Sequence, residues 1–339
     1  MTKGTVVDVH AHCVPEAVAG RIEMEGARWG IEPTGREFID GVSIGGRAST
    51  ARAHPGLLDV GRRLEAMDAM GVDVQVLSPW IDLTAYALSP DLGLAFARMF
   101  NEELVALAGE HPSRFRTLCT VPLQSPAAAD ELRYAVGELH MSGVEIATTV
   151  AGLELDDESL DPFWAAAAEL GCLILIHPCA SLAGRGVSRY FLGNLVGNPA
   201  ETTIAVAHLI FGGVLARHPG LRICLVHGGG FLPYQLGRWD HAYEHAVRGS
   251  AARLDRPPSA WAAQLYYDTV LHSPRSLRHL LDTVGTDHVV LGTDYPFEMG
   301  DATPLQTLAD TAGMTDDEQY TIVSANLLAL LGETTGDRA

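Results

Sequence analysis

The chain of 339 residues carries 23 Lys and Arg against 42 Asp and Glu, and its formal net charge is −19. No basic block offsets this acidity, which argues against nucleic acid or an anionic membrane as a partner but leaves a small anionic substrate open, because a pocket can be locally positive. No stretch reaches the ~18 apolar residues that a membrane span needs, and the length suits either two domains or one large α/β barrel.

The first predicted strand, residues 5–10, is apolar and leads into His10 and His12. Side chains two residues apart on a strand share a face, and two imidazoles there can hold one metal ion. Residues 13–56 are rich in glycine and are expected to be irregular. We interpret them as a small cap over one end of the core, containing a short hairpin.

The regular part begins with a predicted helix over residues 59–70, which Gly71 ends. Later helices are predicted where Ser or Asp precedes proline, because these pairs favour a helix start. A capping box predicts the last helix from Thr315. The four Ser-Pro or Asp-Pro starts are Ser89-Pro90, Ser125-Pro126, Asp161-Pro162 and Ser273-Pro274.

Seven more strands are predicted between the helices, at residues 72–77, 117–122, 143–148, 173–177, 222–227, 265–270 and 288–293. Several are unbroken apolar runs, which is typical of strands buried on both faces. Eight strands alternating with helices predict an α/β fold, a (β/α)₈ TIM-type barrel with a small insertion after strand 1. The alternative is a doubly wound open sheet, but no glycine-rich phosphate loop follows the first strand.

Three other strands end in titratable residues: His177, His227 and Asp294. Barrel enzymes carry their chemistry at these carboxyl ends, and buried unpaired polar groups cost free energy. Together with the first two histidines they suit one divalent ion, zinc first, with a position left open. His227 remains either a fourth ligand or a general acid/base, and the three glycines after it would let a ligand approach the backbone.

Four motifs, DVHAH (8–12), LILIHP (173–178), CLVHGGG (224–230) and GTDYPF (292–297), resemble the amidohydrolase superfamily. More narrowly, they resemble its branch of aminocarboxymuconate-semialdehyde decarboxylase-like, non-oxidative aromatic-acid decarboxylases. The similarity extends to residues 64–76, 198–202 and 236–240, so it spans essentially the whole chain.

The resemblance implies one divalent metal, Zn²⁺ first with Mn²⁺ as the other option, and no organic cofactor. Its ligands would be His10, His12, His177 and Asp294. His227 would be the acid/base group, together with Asp294.

The resemblance also implies substrate-binding residues and a homodimer. Arg238 matches an arginine that reaches the neighbouring subunit's site to hold a substrate carboxylate. Arg52 lies near a second carboxylate-binding arginine, with Arg47 as its competitor and a solvated loop charge as the alternative for both. Phe297 matches an aromatic residue that lines the pocket.

The sequence departs from this family at several positions. Strand 4 carries Glu145 and lacks the bridging lysine of binuclear members, which favours one metal. Glu145 would be an acid/base group or extra ligand if it faces inward, and a salt-bridge partner if it faces a helix. Asn194 or Tyr190 stands near a pocket tryptophan of the family, and His272 stands where an aromatic residue is expected.

We therefore expect a metal-dependent, cofactor-free decarboxylase of a small unsaturated or aromatic carboxylic acid. The alternative is a metal-dependent hydrolase or hydratase of a lactone, amide or unsaturated acid on the same site, which Glu145 and His272 would favour. A non-catalytic binding barrel would predict an incomplete ligand set.

The domain prediction is a single barrel over residues 1–332, with the cap at 13–56 and a disordered tail at 333–339. Five cysteines, without a CxxC pair, fit a reducing compartment. No signal peptide is evident, so we expect a cytoplasmic enzyme with a small-molecule carboxylate substrate and no membrane partner.

Overall fold

The structure is a computed structural model that describes residues 4–48, 53–179 and 186–333, without the side chains of residues 47 and 48. Its main sheet has eight parallel strands, each paired with the next along the chain. These strands are β1 (Val7–Cys13), β5 (Val74–Pro79), β6 (Phe115–Cys119), β7 (Gly143–Ala147), β8 (Leu173–His177), β9 (Arg222–Leu225), β10 (Tyr266–Asp268) and β11 (Val289–Val290).

The first and last strands close the sheet into a barrel. The amide of Val9 donates to the carbonyl of Leu291 at 2.9 Å, and the amide of His12 donates to the carbonyl of Tyr295 at 2.8 Å. The predicted (β/α)₈ barrel is confirmed, and the open-sheet alternative is excluded by this closure.

Helices follow the strands around the barrel. They are α1 (Glu16–Trp29), α2 (Val60–Met70), α3 (Pro90–Gly109), α4 (Ala128–Gly137), α5 (Asp161–Leu170), α6 (Asn198–Phe211), α7 (Val214–Arg217), α8 (Leu232–Glu244), α9 (Pro258–Ala262), α10 (Pro274–Val284), α11 (Pro304–Ala309), α12 (Asp316–Tyr320) and α13 (Asn326–Leu331). Single π-helical segments precede α6 and α13.

Three of the six predicted helix starts are confirmed by side-chain capping contacts, whereas α3 and α5 begin at Ser89-Pro90 and Asp161-Pro162 without one. Asp59 accepts from the amide of Arg62 at 2.9 Å, and Thr315 forms the expected capping box with Glu318. Ser273 likewise accepts from the amide of Ser276. The Ser125-Pro126 pair is different, because α4 begins two residues later, without a side-chain cap.

The prediction that residues 13–56 are irregular was wrong for α1, a helix of 14 residues. The glycines within α1 made the segment look irregular. Gly26 is nevertheless required for packing, because a Cβ at this position would lie 2.0 Å from the carbonyl oxygen of Ile31. The predicted hairpin is present as a small antiparallel sheet of β2 (Ile31–Pro33), β3 (Val42–Ile44) and β4 (Arg47–Ala48).

Of the predicted tail, only Glu333 lies within the described residues, and its carboxylate accepts from Arg116 at 3.0 Å. Residues 334–339 lie outside them. Among the described helices, none combines the length and apolar character that crossing a lipid bilayer requires.

Candidate metal centre and active site

His10 and His12 lie on β1 with both side chains fully buried. The pairing of β1 with β5 shifts between Asp8 and Ala11, which is the mark of a β-bulge. Bulges next to active sites redirect side chains. Here the Nε2 atoms of the two histidines come within 3.2 Å of each other.

His177 and Asp294 complete this cluster. Asp294 Oδ1 lies 3.3 Å from Nε2 of His10 and 3.3 Å from Nε2 of His12. The ring of His177 lies 4.8 Å from the ring of His12, centroid to centroid. Donors bound to one tetrahedral ion at about 2.0–2.2 Å lie roughly 3.3–3.6 Å apart, so this spacing fits a single ion.

Two buried atoms in this cluster have no hydrogen-bond partner: His177 Nε2 and Asp294 Oδ1. His177 Nδ1 lies 2.8 Å from the carbonyl oxygen of Pro178, so it donates there and leaves an Nε2 lone pair facing the cluster. Buried polar atoms without a partner destabilise a fold. A cation between them would satisfy both atoms, so the donor set fits a divalent metal.

The electrostatics of the cluster suit neutral imidazoles at His12 and His177 and an ionised carboxylate at Asp294. Burial and the neighbouring imidazoles hold the pKa of His177 well below its ordinary value, and burial also lowers the pKa of His12. Burial opposes the ionisation of Asp294, but the charge on His10 and the contacts with His10, His12 and His227 together hold the pKa of Asp294 well below its usual range. Metal ligands need these deprotonated forms.

Asp268, at the end of β10, orients His10 from behind. Its Oδ2 lies 2.7 Å from Nδ1 of His10, and its Oδ1 accepts from the amides of Gly228 and Val270 at 2.9 and 3.1 Å. Burial would lower the pKa of His10, but the carboxylates of Asp294 and Asp268 together raise it well above its ordinary value. The contact with Asp268 places the second ring nitrogen, Nε2, toward the cluster.

Replacing Asp268 with asparagine should weaken metal binding about 10- to 100-fold, the usual cost of losing a group that orients a metal-binding histidine. The amide keeps the shape of the side chain but puts a donor where an acceptor is needed. The affinity can be measured by competition with a chelator, and Asp282→Asn on the exposed side of α10 is the matched control. Equal affinity of Asp268→Asn and the wild type would contradict this role.

His227 follows β9 and is more open than the other histidines. Its side chain is 17% exposed, against 0% for His10, and its Nε2 lies 3.6 Å from Asp294 Oδ2. Ligand atoms of His10, His177, His227 and Asp294 all lie within 4.8 Å of one another. The position of His227 at the open side of the cluster suits an acid/base group. Its short distance to the other ligand atoms also allows it to be a fourth ligand, so both alternatives remain.

The glycines after His227 have a packing role. A Cβ on Gly230 would lie 2.2 Å from the carbonyl oxygen of Pro199, and the φ of Gly230 is +64°. The loop therefore packs tightly against the start of α6. Three non-glycine residues at neighbouring strand exits also have positive φ: His227 at 55°, His272 at 54° and Asp294 at 59°. Such conformations cost free energy and are concentrated at functional sites.

Glu145 faces the barrel interior, behind His12. Its Oε1 accepts from Ser78 Oγ at 3.2 Å and lies 3.6 Å from Nδ1 of His12. Burial raises the pKa of Glu145 to about 8, so the carboxyl keeps its proton at neutral pH. Because Nε2 of His12 is the atom that faces the cluster, these contacts place Glu145 on the opposite side of that ring.

A buried polar network supports the cluster from below. Asp8 Oδ2 accepts from Thr293 Oγ1 at 2.6 Å and from Gln75 Nε2 at 2.9 Å. Arg63 in turn donates to Gln75 Oε1 at 3.1 Å and also to the carbonyl oxygen of His12. This network joins β1, β5 and the end of β11, so it fixes the strand that carries both histidines.

The predicted substrate-binding residues are placed differently from one another. The ring of Phe297 lies 5.3 Å from that of His12, which puts it beside the cluster. His272 and Arg238 are exposed, and Arg238 has no ion-pair partner among the described residues. Asn194 is half-buried in the π-helical segment before α6, without a described contact to the cluster.

Two of the other predicted side chains, those of Arg52 and Arg47, cannot be placed relative to the cluster, whereas that of Tyr190 can. Arg52 lies outside the described residues, and the side chain of Arg47, on β4, is also not described. Tyr190 is exposed.

Sequence reasoning missed Asp268, Asp8 and Ser78 as supporting residues. The signal for Asp268 was present, because it is an acid at the end of an apolar strand, as is Asp294. Asp8 lies within the DVHAH motif, but its carboxylate accepts from Thr293, from Gln75 and from the backbone amide of His10. Ser78 is uncharged and gives no comparable signal.

Comparison with known proteins gives consistent matches. A family model described as "Amidohydrolase" matches residues 7–332. The chain is 33% identical over 273 residues to 2-amino-3-carboxymuconate-6-semialdehyde decarboxylase of Dictyostelium discoideum, covering 80% of this chain and 76% of that protein. It is 31% identical over 263 residues to gamma-resorcylate decarboxylase of Rhodococcus jostii (strain RHA1), covering 70% of this chain and 77% of that protein.

A solved structure matches the fold over nearly its full length. It is 5-carboxyvanillate decarboxylase of Novosphingobium aromaticivorans, complexed with manganese and 4-hydroxy-3-methoxy-5-nitrobenzoic acid. Its TM-score is 0.80 at 21% identity, over 98% of this chain and 97% of that one.

Proposed function

The chain belongs to the amidohydrolase family, and on this premise we propose that it is a metal-dependent, non-oxidative decarboxylase of a small unsaturated or aromatic carboxylic acid. The observation that carries the proposal is the convergence of three buried imidazoles and Asp294 at one end of the barrel, beside the more open His227. Relatives at least 30% identical are named as decarboxylases of such acids.

We propose one divalent ion held by His10, His12, His177 and Asp294. When bound, it would act as a Lewis acid that orients the substrate and neutralises negative charge on its oxygens. Zn²⁺ suits three imidazoles and one carboxylate. Mn²⁺ is the other candidate, and the related carboxyvanillate decarboxylase was crystallised with it. No organic cofactor is part of the proposal.

Side chains of the protein would supply the proton that takes the place of the departing CO₂ on the substrate carbon. Loss of CO₂ breaks one C–C bond, and the electron pair of that bond must end in a new C–H bond. The imidazole of His227 would deliver this proton from Nε2, and Asp294 at 3.6 Å would stabilise its protonated form. Phe297, beside His12, would form an aromatic wall against a planar substrate.

The alternative reaction, hydrolysis or hydration, depends on further acid/base groups in the open site. Glu145 and His272 are the candidates for such groups. His272 is exposed, and the described contacts of Glu145 are with Ser78 and with Nδ1 of His12. This position favours a supporting role and leaves decarboxylation as the reaction that the arrangement suits better.

The proposed function is tested with enzyme reconstituted separately with Zn²⁺ and Mn²⁺ and supplied with ortho-hydroxy aromatic, amino-aromatic and muconate-type acids. We expect CO₂ release, with a product mass lower by one CO₂, for at least one of these acids. Enzyme stripped of metal serves as the control. A product that has gained water, formed without CO₂, would instead support the hydrolase or hydratase.

We further propose a homodimer in which Arg238 of one protomer reaches the active site of the other. Arg238 is exposed on α8, and the same face region carries exposed Phe231 and Tyr234. An exposed arginine without a described ion-pair partner is free to hold a substrate carboxylate, and apolar side chains around it favour contact with another protein surface.

Arg238→Ala should raise the KM for the acid about 10- to 100-fold, because a hydrogen bond to a charged group is lost. The matched control is Arg275→Ala, since Arg275 is an exposed arginine on α10. Co-expressing Arg238→Ala with His177→Ala should restore one complete site per mixed dimer, up to roughly a quarter of wild-type activity. A fully active monomer, or no restoration in mixed dimers, would contradict the shared site.

We also propose that the enzyme works in a reducing compartment, the cytoplasm. Four of the cysteines, Cys13, Cys119, Cys172 and Cys224, are buried thiols without a disulfide. Because buried thiols act as small apolar residues, they need no oxidising environment. Cell fractionation with an antibody to the protein tests this location.

A further inference from the structure

The C-terminal end of α8 carries a second group of metal-binding side chains. It consists of His241, Glu244 and His245, and one potential ligand atom from each lies within 4.8 Å of the others. Residues three and four positions apart lie on the same helix face, which brings the three together. The two imidazole rings are 4.2 Å apart, centroid to centroid.

One of these imidazoles is already fixed in a metal-binding orientation. Nδ1 of His245 lies 2.9 Å from the carbonyl oxygen of His241, so it donates there and leaves Nε2 as the free lone pair. Metal-binding histidines usually donate their other ring nitrogen to a carbonyl or carboxylate in this way.

The surroundings of the group favour a cation. All three side chains are exposed, and none has an ion-pair partner in the part of the chain that the structure describes. They lie in the last turn of α8 and at its C-cap, where the helix dipole is negative. An incoming ion therefore displaces no described salt bridge.

We propose that His241, Glu244 and His245 form a second divalent-metal site, separate from the barrel cluster. Two imidazoles and one carboxylate suit Zn²⁺, with water in the remaining position, and Ni²⁺ or Cu²⁺ share the preference for imidazole. The site lies roughly 18 Å along α8 from Leu232, given about 1.5 Å of rise per residue. It is therefore remote from the barrel cluster of its own chain and would hold the end of α8 to its C-cap residue.

The test is calorimetric titration of ZnCl₂ into the full-length enzyme that already holds one equivalent of Zn²⁺. We expect one further Zn²⁺ per chain. His241→Ala and His245→Ala should each weaken this binding at least about tenfold, and Glu244→Gln should weaken it less. His279→Ala, an exposed histidine on α10, should bind as the wild type does, and turnover should be unchanged in all four variants.

A second set of measurements distinguishes loss of the metal site from misfolding of the variants. Circular dichroism and turnover of the enzyme with one Zn²⁺ should match the wild type in His241→Ala and His245→Ala. Added Zn²⁺ should raise the melting temperature of the wild type and of His279→Ala more than that of these two variants. Absence of a further binding event in the wild type would overturn the proposal. So would an event that is equally strong in His241→Ala and His245→Ala.

Discussion

Replacing His177 with alanine is expected to remove the bound metal and to lower kcat/KM by about 1000-fold. His177, at the end of β8, is one of the proposed ligands, and its buried Nε2 has no hydrogen-bond partner among the described residues. His10 and His12 cannot take its place, because both are fixed by their own contacts.

Metal content after dialysis, measured by mass spectrometry, and CO₂ release report on the two effects separately. His218→Ala is the matched control, since His218 is a largely buried histidine that pairs with Asp161 and not with the cluster. Retention of one metal per chain in His177→Ala would remove His177 from the ligand set. The variant should keep its fold, because taking away a partly unsatisfied buried polar group costs less than leaving it unpaired.

His227→Gln is expected to retain the metal and to lose at least about 100-fold in kcat, the usual contribution of a general acid or base. Glutamine keeps a polar side chain of similar reach but cannot carry the proton. His227 lies at the open side of the cluster, where a substrate carbon could approach Nε2.

This variant also decides between the two roles left open for His227. If metal content falls together with turnover, His227 is itself a metal ligand, as its distance to His10, His177 and Asp294 allows. His111→Gln, before β6 at the opposite end of the barrel, is the control. Turnover equal to the wild type would exclude both roles.

The barrel could be predicted from the sequence because the local signals for strands and helix starts agree with the topology of the fold. Strands such as β8 are unbroken apolar runs, and Asp59 and Thr315 cap helices where predicted. Helix α1 escaped prediction because two glycines lie within it, and the need for Gly26 comes from contact with β2, which only the fold reveals.

Within the site, residue types were predictable but side-chain directions were not. His10 and His12 could be paired from their spacing alone. The orientation of Glu145 toward Ser78 depends on how β5 and β7 lie in the closed barrel. Asp268 was overlooked because its partner, His10, lies 258 residues away in the chain.

Barrel closure has a consequence for how the protein is made. The cluster combines β1, at the start of the chain, with Asp294, which follows β11, and the amide of Asp294 donates to the carbonyl of His10 at 2.8 Å. During synthesis on the ribosome, the two histidines emerge first but must wait for nearly the whole barrel before they meet this carboxylate. The complete metal site therefore forms only after translation has passed Asp294. Metal binding thus comes at the end of folding and contributes little to the stability of the nascent chain before then.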